Sequence, residues 1–208
     1  MENTSRRGDT PSGLSRRDFL RDSSAAATAV ALTQVPRAEA EGAKDGVAAL
    51  GPGAVKLSLE VNGAPMTTTV EPRVTLLDAL RNYLDVTGCK RVCDRGTCGA
   101  CTVMIDGKPI YSCTMLALEA QGKKIETAES MAQGELHPVA AAFVKHDAQQ
   151  CGFCTPGFTT ALKAAYDNNK KSVAELEAAV AGNICRCGTY QQMREAIRDL
   201  AGVGKKGG

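Results

Sequence analysis

Tryptophan is absent from this sequence, phenylalanine and tyrosine together make up only 4% of it, and there are only two histidines. With so few aromatics, alanine has to do much of the filling of any core, which suits closely packed helices. Neither sign of charge dominates. Lys and Arg number 25 against 23 Asp and Glu, a formal net charge of +2 with no long run of one sign. A nucleic-acid-binding surface would show a basic stripe, and there is none. The chain shows no phosphate-cradling glycine loop, no nucleophile set beside a base and no carboxylate pair placed for acid–base work, so no catalytic residue is assigned to it. His137 stands before a proline and reads as a helix start, and His146 as an ordinary surface or core residue; neither reads as a metal ligand. The length of 208 residues, 43% hydrophobic, is enough for one or two small domains with cores of their own.

Cysteine is what the sequence has in excess, nine in all. Three lie in the loop Cys93-Asp94-Arg95-Gly96-Thr97-Cys98-Gly99-Ala100-Cys101, and a fourth is Cys113. The spacing C-x4-C-x2-C-x11-C opens with the plant-type pattern for holding a [2Fe–2S] cluster. Four thiolates must converge on two irons, which needs a tightly folded backbone. Gly96 and Gly99 can take positive φ and turn amide N–H groups inward, where such donors stabilise anionic sulfur and help set the potential. A second set follows, Cys151-Gly152-Phe153-Cys154 and then Cys185-Arg186-Cys187. Taken together, Cys93, Cys98, Cys101, Cys113, Cys151, Cys154, Cys185 and Cys187 imply an electron conduit with two [2Fe–2S] clusters. Structural zinc is the chemical rival, since Cys98/Cys101 and Cys151/Cys154 have knuckle spacing, but zinc sites usually pair two knuckles and neither set here does. Disulfides fit less well: Cys185 and Cys187 are too close for an easy bridge, and nine leaves one thiol over. Arg186, between two ligands, reads equally as a charge that tunes a cluster and as a surface ion-pair partner.

The N-terminus reads as an address. Ser15-Arg16-Arg17-Asp18-Phe19-Leu20-Arg21 resembles the twin-arginine (Tat) export consensus. An alanine-rich apolar stretch from Ala25 to Val35 follows, too short to span a bilayer, and Ala38-Glu39-Ala40 offers an A-x-A cleavage site. The Tat route carries folded proteins, so cofactors can be inserted before export. That reconciles metal-binding cysteines with a periplasmic destination. Residues 1–40 are therefore expected to be the signal peptide and 41–53 a Gly/Ala-rich linker.

Val55, Leu57, Leu59 and Val61 alternate with polar residues and predict a half-buried strand; Asn62-Gly63 is a hairpin turn, and Met66–Val70 the returning strand. Thr75 is expected to cap a helix through Leu84. Cys101–Ile105, Lys108–Tyr111 and Lys124–Thr127 read as further strands. Two hairpins and a helix in this order resemble the β-grasp fold of plant-type ferredoxins. Beyond them, helices are expected from Pro138 to about Ala148, from Pro156 to about Tyr166, from a Ser172/Glu175 capping box to near Gly182, and from a Thr189 cap through Leu200. Both later cysteine pairs then sit at helix N-terminal ends, where backbone donors and the dipole favour an anionic cluster. The fold class expected is α+β: a ferredoxin-like domain at 54–130, an all-α four-helix bundle at 131–204 and a tail at 205–208. Tyr190 reads as a packing residue whose hydroxyl finds a partner.

Cys93–Val103 (CDRGTCGACTV), Gln150–Gly157 (QCGFCTPG) and Gly182–Tyr190 (GNICRCGTY) together resemble the iron–sulfur subunit of the xanthine oxidase family, the molybdenum hydroxylases. The resemblance covers nearly all of residues 55–200 and, with the export signal, is strongest to the small subunits of periplasmic aldehyde oxidoreductases. It implies a large partner subunit that holds molybdopterin cytosine dinucleotide and hydroxylates the substrate with oxygen from water. Electrons then pass first to the cluster on Cys151, Cys154, Cys185 and Cys187, next to the one on Cys93, Cys98, Cys101 and Cys113, and onward to an FAD subunit or cytochrome. Gln150 and Cys187 match positions that lie against the pterin. The same residues also resemble small subunits of N-heterocycle enzymes of the isoquinoline 1-oxidoreductase or xanthine dehydrogenase type. A stand-alone exported ferredoxin would explain the first motif but not the helical region. Val92, where the family commonly has glycine, and Cys89, which has no counterpart in the ligand set, depart from the pattern. Cys89 reads as a small buried residue, with a substitute for Cys93 as the alternative.

Overall fold

The computed structural model describes Ser15, Arg17, Phe19 and residues 50–203. Arg16, the apolar stretch 25–35, the 38–40 cleavage site, most of the linker and the 205–208 tail lie outside the described residues. Among those described, no helix is long and apolar enough to cross a membrane.

The alternation read in the first strand is what the structure shows. In β1 (Val55–Val61) Leu57, Leu59 and Val61 are buried while Lys56, Ser58 and Glu60 are exposed. Asn62 and Gly63 both take positive φ, 52° and 78°, as a two-residue turn matching strand twist requires. The chain returns in β2 (Ala64–Val70), antiparallel to β1. β3 (Thr102–Ile105) and β4 (Lys108–Tyr111) form a second antiparallel hairpin, and β5 (Lys124–Glu126) runs parallel to β1 and antiparallel to β3. The five-stranded order is β2-β1-β5-β3-β4.

The helix expected from Thr75 begins as read. Thr75 Oγ1 accepts the Asp78 N–H at 3.2 Å, and α1 covers Leu76–Asp78. It does not continue as α-helix to Leu84 but widens into a π turn, Ala79–Tyr83. Leu76, Leu77, Ala79 and Leu80 are all fully buried, a broader apolar face than one regular stripe presents. The Arg81 guanidinium then donates to the carbonyls of Thr87 and Cys89, each at 2.8 Å, and fastens the run into the first cysteine loop.

Four helices follow: α2 (Pro138–Lys145), α3 (Thr155–Asp167), α4 (Val173–Ala179) and α5 (Tyr190–Leu200). α2 stops short of Ala148 because Asp147 turns left-handed, φ 48°. The Ser172/Glu175 capping box forms as read. The Thr189 cap does not: Thr189 makes no capping bond, and its hydroxyl lies 3.4 Å from Cys185 Sγ. α2 packs on α3 and α5, while α3 also crosses β3 and β4. That second neighbour explains why all four residues of β3 are buried. Two apolar clusters result. One, with Leu57, Leu80, Val103 and Ile125, fills the sheet side; the other, with Val139, Phe158, Leu162, Leu176 and Ile197, fills the helices.

Lys163 on α3 links the two sides, donating to Glu126 of β5 at 2.9 Å and to Asp167 at 2.7 Å. Partial burial works against the Asp167 charge, but the bonds from Lys163 and His137 outweigh it and hold the carboxyl below its usual range. The folded carboxyl thus ionises more readily than the unfolded one, whose pKa is about 3.9. Its contribution is present at neutral pH and is lost as pH falls through the folded value. Asp167→Asn is expected to cost roughly 0.5–1 kcal/mol at pH 7, after discounting a half-exposed pair for screening. Unfolding curves of parent and variant should begin to converge as pH falls below the unfolded carboxyl's value and coincide once it is below the folded one.

Candidate metal centres

The first cysteine loop is shaped by three left-handed residues, Asp94 (φ 55°), Gly96 (φ 69°) and Gly99 (φ 69°). Val92 is not one of them and is 56% exposed, so a β-branched side chain fits where the family pattern has glycine. The turns aim N–H groups at sulfur: Gly96 donates to Cys113 Sγ at 3.3 Å and Thr97 to Cys93 Sγ at 3.4 Å. Donation from Arg95, together with Thr97 and Cys98, lowers the Cys93 thiol to about 6 despite some opposing burial, while burial pushes Cys101 up to about 12. Cys93 lies beside Cys98 and Cys101 beside Cys113, and burial together with all four thiols raises the Tyr111 hydroxyl above its usual range. The outer carbonyls are tied back: Ser112 Oγ donates to the Cys101 carbonyl at 2.7 Å, and the Ala100 carbonyl accepts from Lys90 N–H at 3.0 Å.

The second foursome stands where α3 and α5 begin. Cys154 immediately precedes α3, and Cys185 and Cys187 lie just before α5. Cys154 lies beside Cys185 and Cys151 beside Cys187. Burial pushes Cys154 up to about 12. Burial acts the same way on Cys185, but the Thr189 hydroxyl and the Thr189 and Gly188 N–H groups overcome it and bring that thiol down to about 7. The Tyr190 hydroxyl accepts the Cys185 N–H at 2.7 Å and donates to the Cys185 carbonyl at 3.0 Å, clamping that residue from both ends. Gln150, Cys151, Phe153, Arg186 and Cys187 are all exposed.

The two foursomes touch through backbone. Ile184 N–H donates to the Cys98 carbonyl at 3.0 Å, and Asn183 Nδ2 to the Gly99 carbonyl at 3.0 Å. Gly157, in the first turn of α3, packs so closely that a Cβ there would run into the Gly99 carbonyl oxygen. The contacts set Cys93, Cys98, Cys101 and Cys113 about one loop, and Cys151, Cys154, Cys185 and Cys187 about a neighbouring one. Among the described residues no three or more His, Cys, Asp or Glu are placed to hold a metal ion as they stand. The fit to iron–sulfur clusters rests on donor chemistry: four thiols to a group, with N–H and O–H donors directed at sulfur. Cys89 belongs to neither group. It is 1% exposed within the sheet core, and burial, aided by the Glu129 charge, raises its thiol to about 11. His137 caps α2, accepting the Val139 N–H on Nδ1, and contacts Asp167 through Nε2; His146 lies against Asp199 on α5. Sequence reading did not single out Tyr111 or Asn183, nor Thr189 as a sulfur partner. Their hydroxyl and amide groups beside the motif cysteines were the available signal.

Two family profiles match. One, a 2Fe-2S iron-sulfur cluster binding domain, covers residues 59–132, and the other, a [2Fe-2S] binding domain, covers residues 127–198. The aldehyde oxidoreductase iron-sulfur-binding subunit PaoA of Escherichia coli K12 is 40% identical over 207 residues, 91% of this chain and 89% of that one. The 6-hydroxypseudooxynicotine dehydrogenase complex subunit beta of Paenarthrobacter nicotinovorans is 48% identical over 149 residues, 70% of this chain and 93% of that one. Among solved structures, a chain of quinoline 2-oxidoreductase from Pseudomonas putida 86 superposes with a TM-score of 0.66 at 41% identity, covering 74% of this chain and 98% of that one.

Replacing Cys89 with alanine removes one buried sulfur and is expected to cost roughly 1 kcal/mol of stability. Iron content of the purified protein should not change; a fall by half would make Cys89 a ligand.

Proposed function

This chain belongs to the family of iron–sulfur small subunits of molybdenum hydroxylases, and on that premise we propose that it is the electron-transfer subunit of a periplasmic aldehyde oxidoreductase. Members of the family are iron–sulfur subunits of oxidoreductase complexes. In this reading Cys151, Cys154, Cys185 and Cys187 hold the cluster nearer the chemistry, and Cys93, Cys98, Cys101 and Cys113 hold the outer one. The clusters would supply one-electron steps between the molybdopterin of a large partner and an FAD subunit or cytochrome. The sheet side, 54–130, is read as a β-grasp ferredoxin-like domain, and the helical side, 131–204, as a four-helix bundle.

The observation that carries this reading is the pair of adjacent thiol foursomes, each supplied with hydrogen-bond donors to sulfur. This chain's own work is to bind and to orient. Gly96, Thr97, Gly188 and Thr189 offset the negative charge that four thiolates and their sulfides bring together. Tyr190 fixes the Cys185 backbone. Burial of Cys98, Cys101, Cys113 and Cys185 keeps water from half of the proposed ligand sulfurs, while exposed Gln150, Cys151 and Cys187 present an edge that a partner's pterin would meet. The aldehyde assignment is supported by the likeness to PaoA, which covers 91% of this chain. The higher identity of 48% over 149 residues to a subunit of the 6-hydroxypseudooxynicotine dehydrogenase complex, together with the likeness to a chain of quinoline 2-oxidoreductase, favours a second reading, the same role in an N-heterocycle hydroxylase.

The fully loaded protein should contain about four irons and four labile sulfides per chain. Cys154→Ser should abolish one of two distinct EPR signals and stop aldehyde turnover by the assembled complex. Full activity in that variant would remove Cys154 from the electron route, and turnover of N-heterocycles with none of aldehydes would favour the second reading.

Export is proposed from the twin arginines. Arg16→Lys with Arg17→Lys should hold the complex in the cytoplasm, as cell fractionation would report; normal periplasmic appearance of that variant would overturn the export reading.

A further inference from the structure

We propose that Asn183 is a positioning residue for electron transfer between the two centres: its buried amide holds the Cys98–Gly99 turn against the Cys185 loop, so that a single hydrogen bond, Ile184 N–H to the Cys98 carbonyl, joins the two sets of ligand residues. The proposal rests on the two-cluster reading. The step concerned moves one electron from the cluster held by Cys151, Cys154, Cys185 and Cys187 to the one held by Cys93, Cys98, Cys101 and Cys113. The first is oxidised, the second is reduced, and no proton moves.

The geometry is specific. Cys98 is a ligand residue of one group, and Ile184 directly precedes Cys185 of the other; their N–H···O=C bond is 3.0 Å. A bond between two loops persists only if something fixes both. On the helical side, Asn183 is 7% exposed, and its own N–H is bonded to the Val180 carbonyl at 2.9 Å. Its Nδ2 donates across to the Gly99 carbonyl at 3.0 Å. That carbonyl also accepts from the Thr102 hydroxyl at 2.6 Å and the Thr102 N–H at 3.1 Å. Three donors on one oxygen leave the Gly99 peptide little freedom to rotate, and its plane is linked through the Gly99 Cα to the plane of the Cys98 carbonyl. Gly99 takes φ 69°, and a Cβ there would collide with the Asn183 amide and come within 3.1 Å of the Gly182 carbonyl. A second fastening lies alongside, the Tyr111 hydroxyl donating to that Gly182 carbonyl at 3.2 Å. An amide buried this deeply, and bonded to the opposite cysteine loop, serves the join between the loops.

The test uses the assembled complex carrying Asn183→Ala. Iron and sulfide content should match the parent. Flash reduction followed optically should show electron equilibration between the clusters slowed by roughly tenfold or more, the scale on which lost positioning acts. The magnetic splitting between the two reduced clusters in low-temperature EPR should change as well. Asn183→Asp, which keeps the shape but loses the donor, is the second variant and should slow equilibration likewise. Full loading with unchanged rate and unchanged splitting in either variant would overturn the proposal. So would failure of both variants to load, since Asn183 would then be needed for folding and not for alignment. A parent protein that binds no more than two irons per chain would overturn the two-cluster reading itself, an outcome distinct from a loaded but indifferent variant.

Discussion

The turn at Cys98–Gly99 is the constraint on which the rest of the molecule depends. It is part of the first cysteine loop, yet it accepts hydrogen bonds from Ile184 and Asn183 of the second, and the first turn of α3 lies directly upon it. Such an approach is open only to residues without side chains. A Cβ at Gly157 would strike the Gly99 oxygen, a Cβ at Gly99 would strike Asn183, and one at Gly182 would strike the Tyr111 hydroxyl. Three glycines from distant parts of the chain therefore allow two backbones to come into hydrogen-bonding contact. That is the arrangement expected where charge has to pass between centres and not merely be stored in each.

A second constraint is electrostatic. Four thiolates in a small volume repel one another, and each pays for burial. The loops answer with donors placed by backbone conformation: left-handed Gly96 in one and Gly188 in the other. The effect is uneven. Cys93 and Cys185 lie below the ordinary thiol range, near 6 and 7, while Cys101 and Cys154 are pushed to about 12. Each foursome thus contains one sulfur ready to act as a thiolate and one that a positive centre must persuade. Metal binding and proton release are linked in such a site.

Much of this was legible beforehand. Strands β1 and β2, their Asn62-Gly63 turn and the capping box at Ser172 all depend on local signals: alternation, turn chemistry and capping spacing. What was not legible depends on neighbours distant in sequence. Thr189 has the right chemistry for a helix cap, but Cys185 Sγ competes for its hydroxyl and wins. The π turn at Ala79–Tyr83 answers to the shape of the sheet core, which requires more buried positions than a regular helix offers. Gly157 and Gly182 carry no side-chain pattern at all, so the contact they permit leaves no periodicity to read. Only their positions, one inside the first turn of a helix and one beside a cysteine motif, set them apart.

The separation of the two apolar clusters sharpens the point. The sheet core and the helical core share no residue, and each buries its own large aliphatics. Apolar burial therefore gives each side much of its own stability, and the join between them combines α3 packed on β3 with polar contacts: Lys163 reaching Glu126, Tyr111 reaching Gly182, Asn183 reaching Gly99. Directional bonds of this kind add modest stability each, but they fix register, which an apolar interface of interchangeable methyl groups does less well. The chain uses hydrophobic packing to build two scaffolds and hydrogen bonds to align them. In the proposed electron route, whose rate would depend on how the two cysteine loops meet, alignment is the quantity that has to be specified.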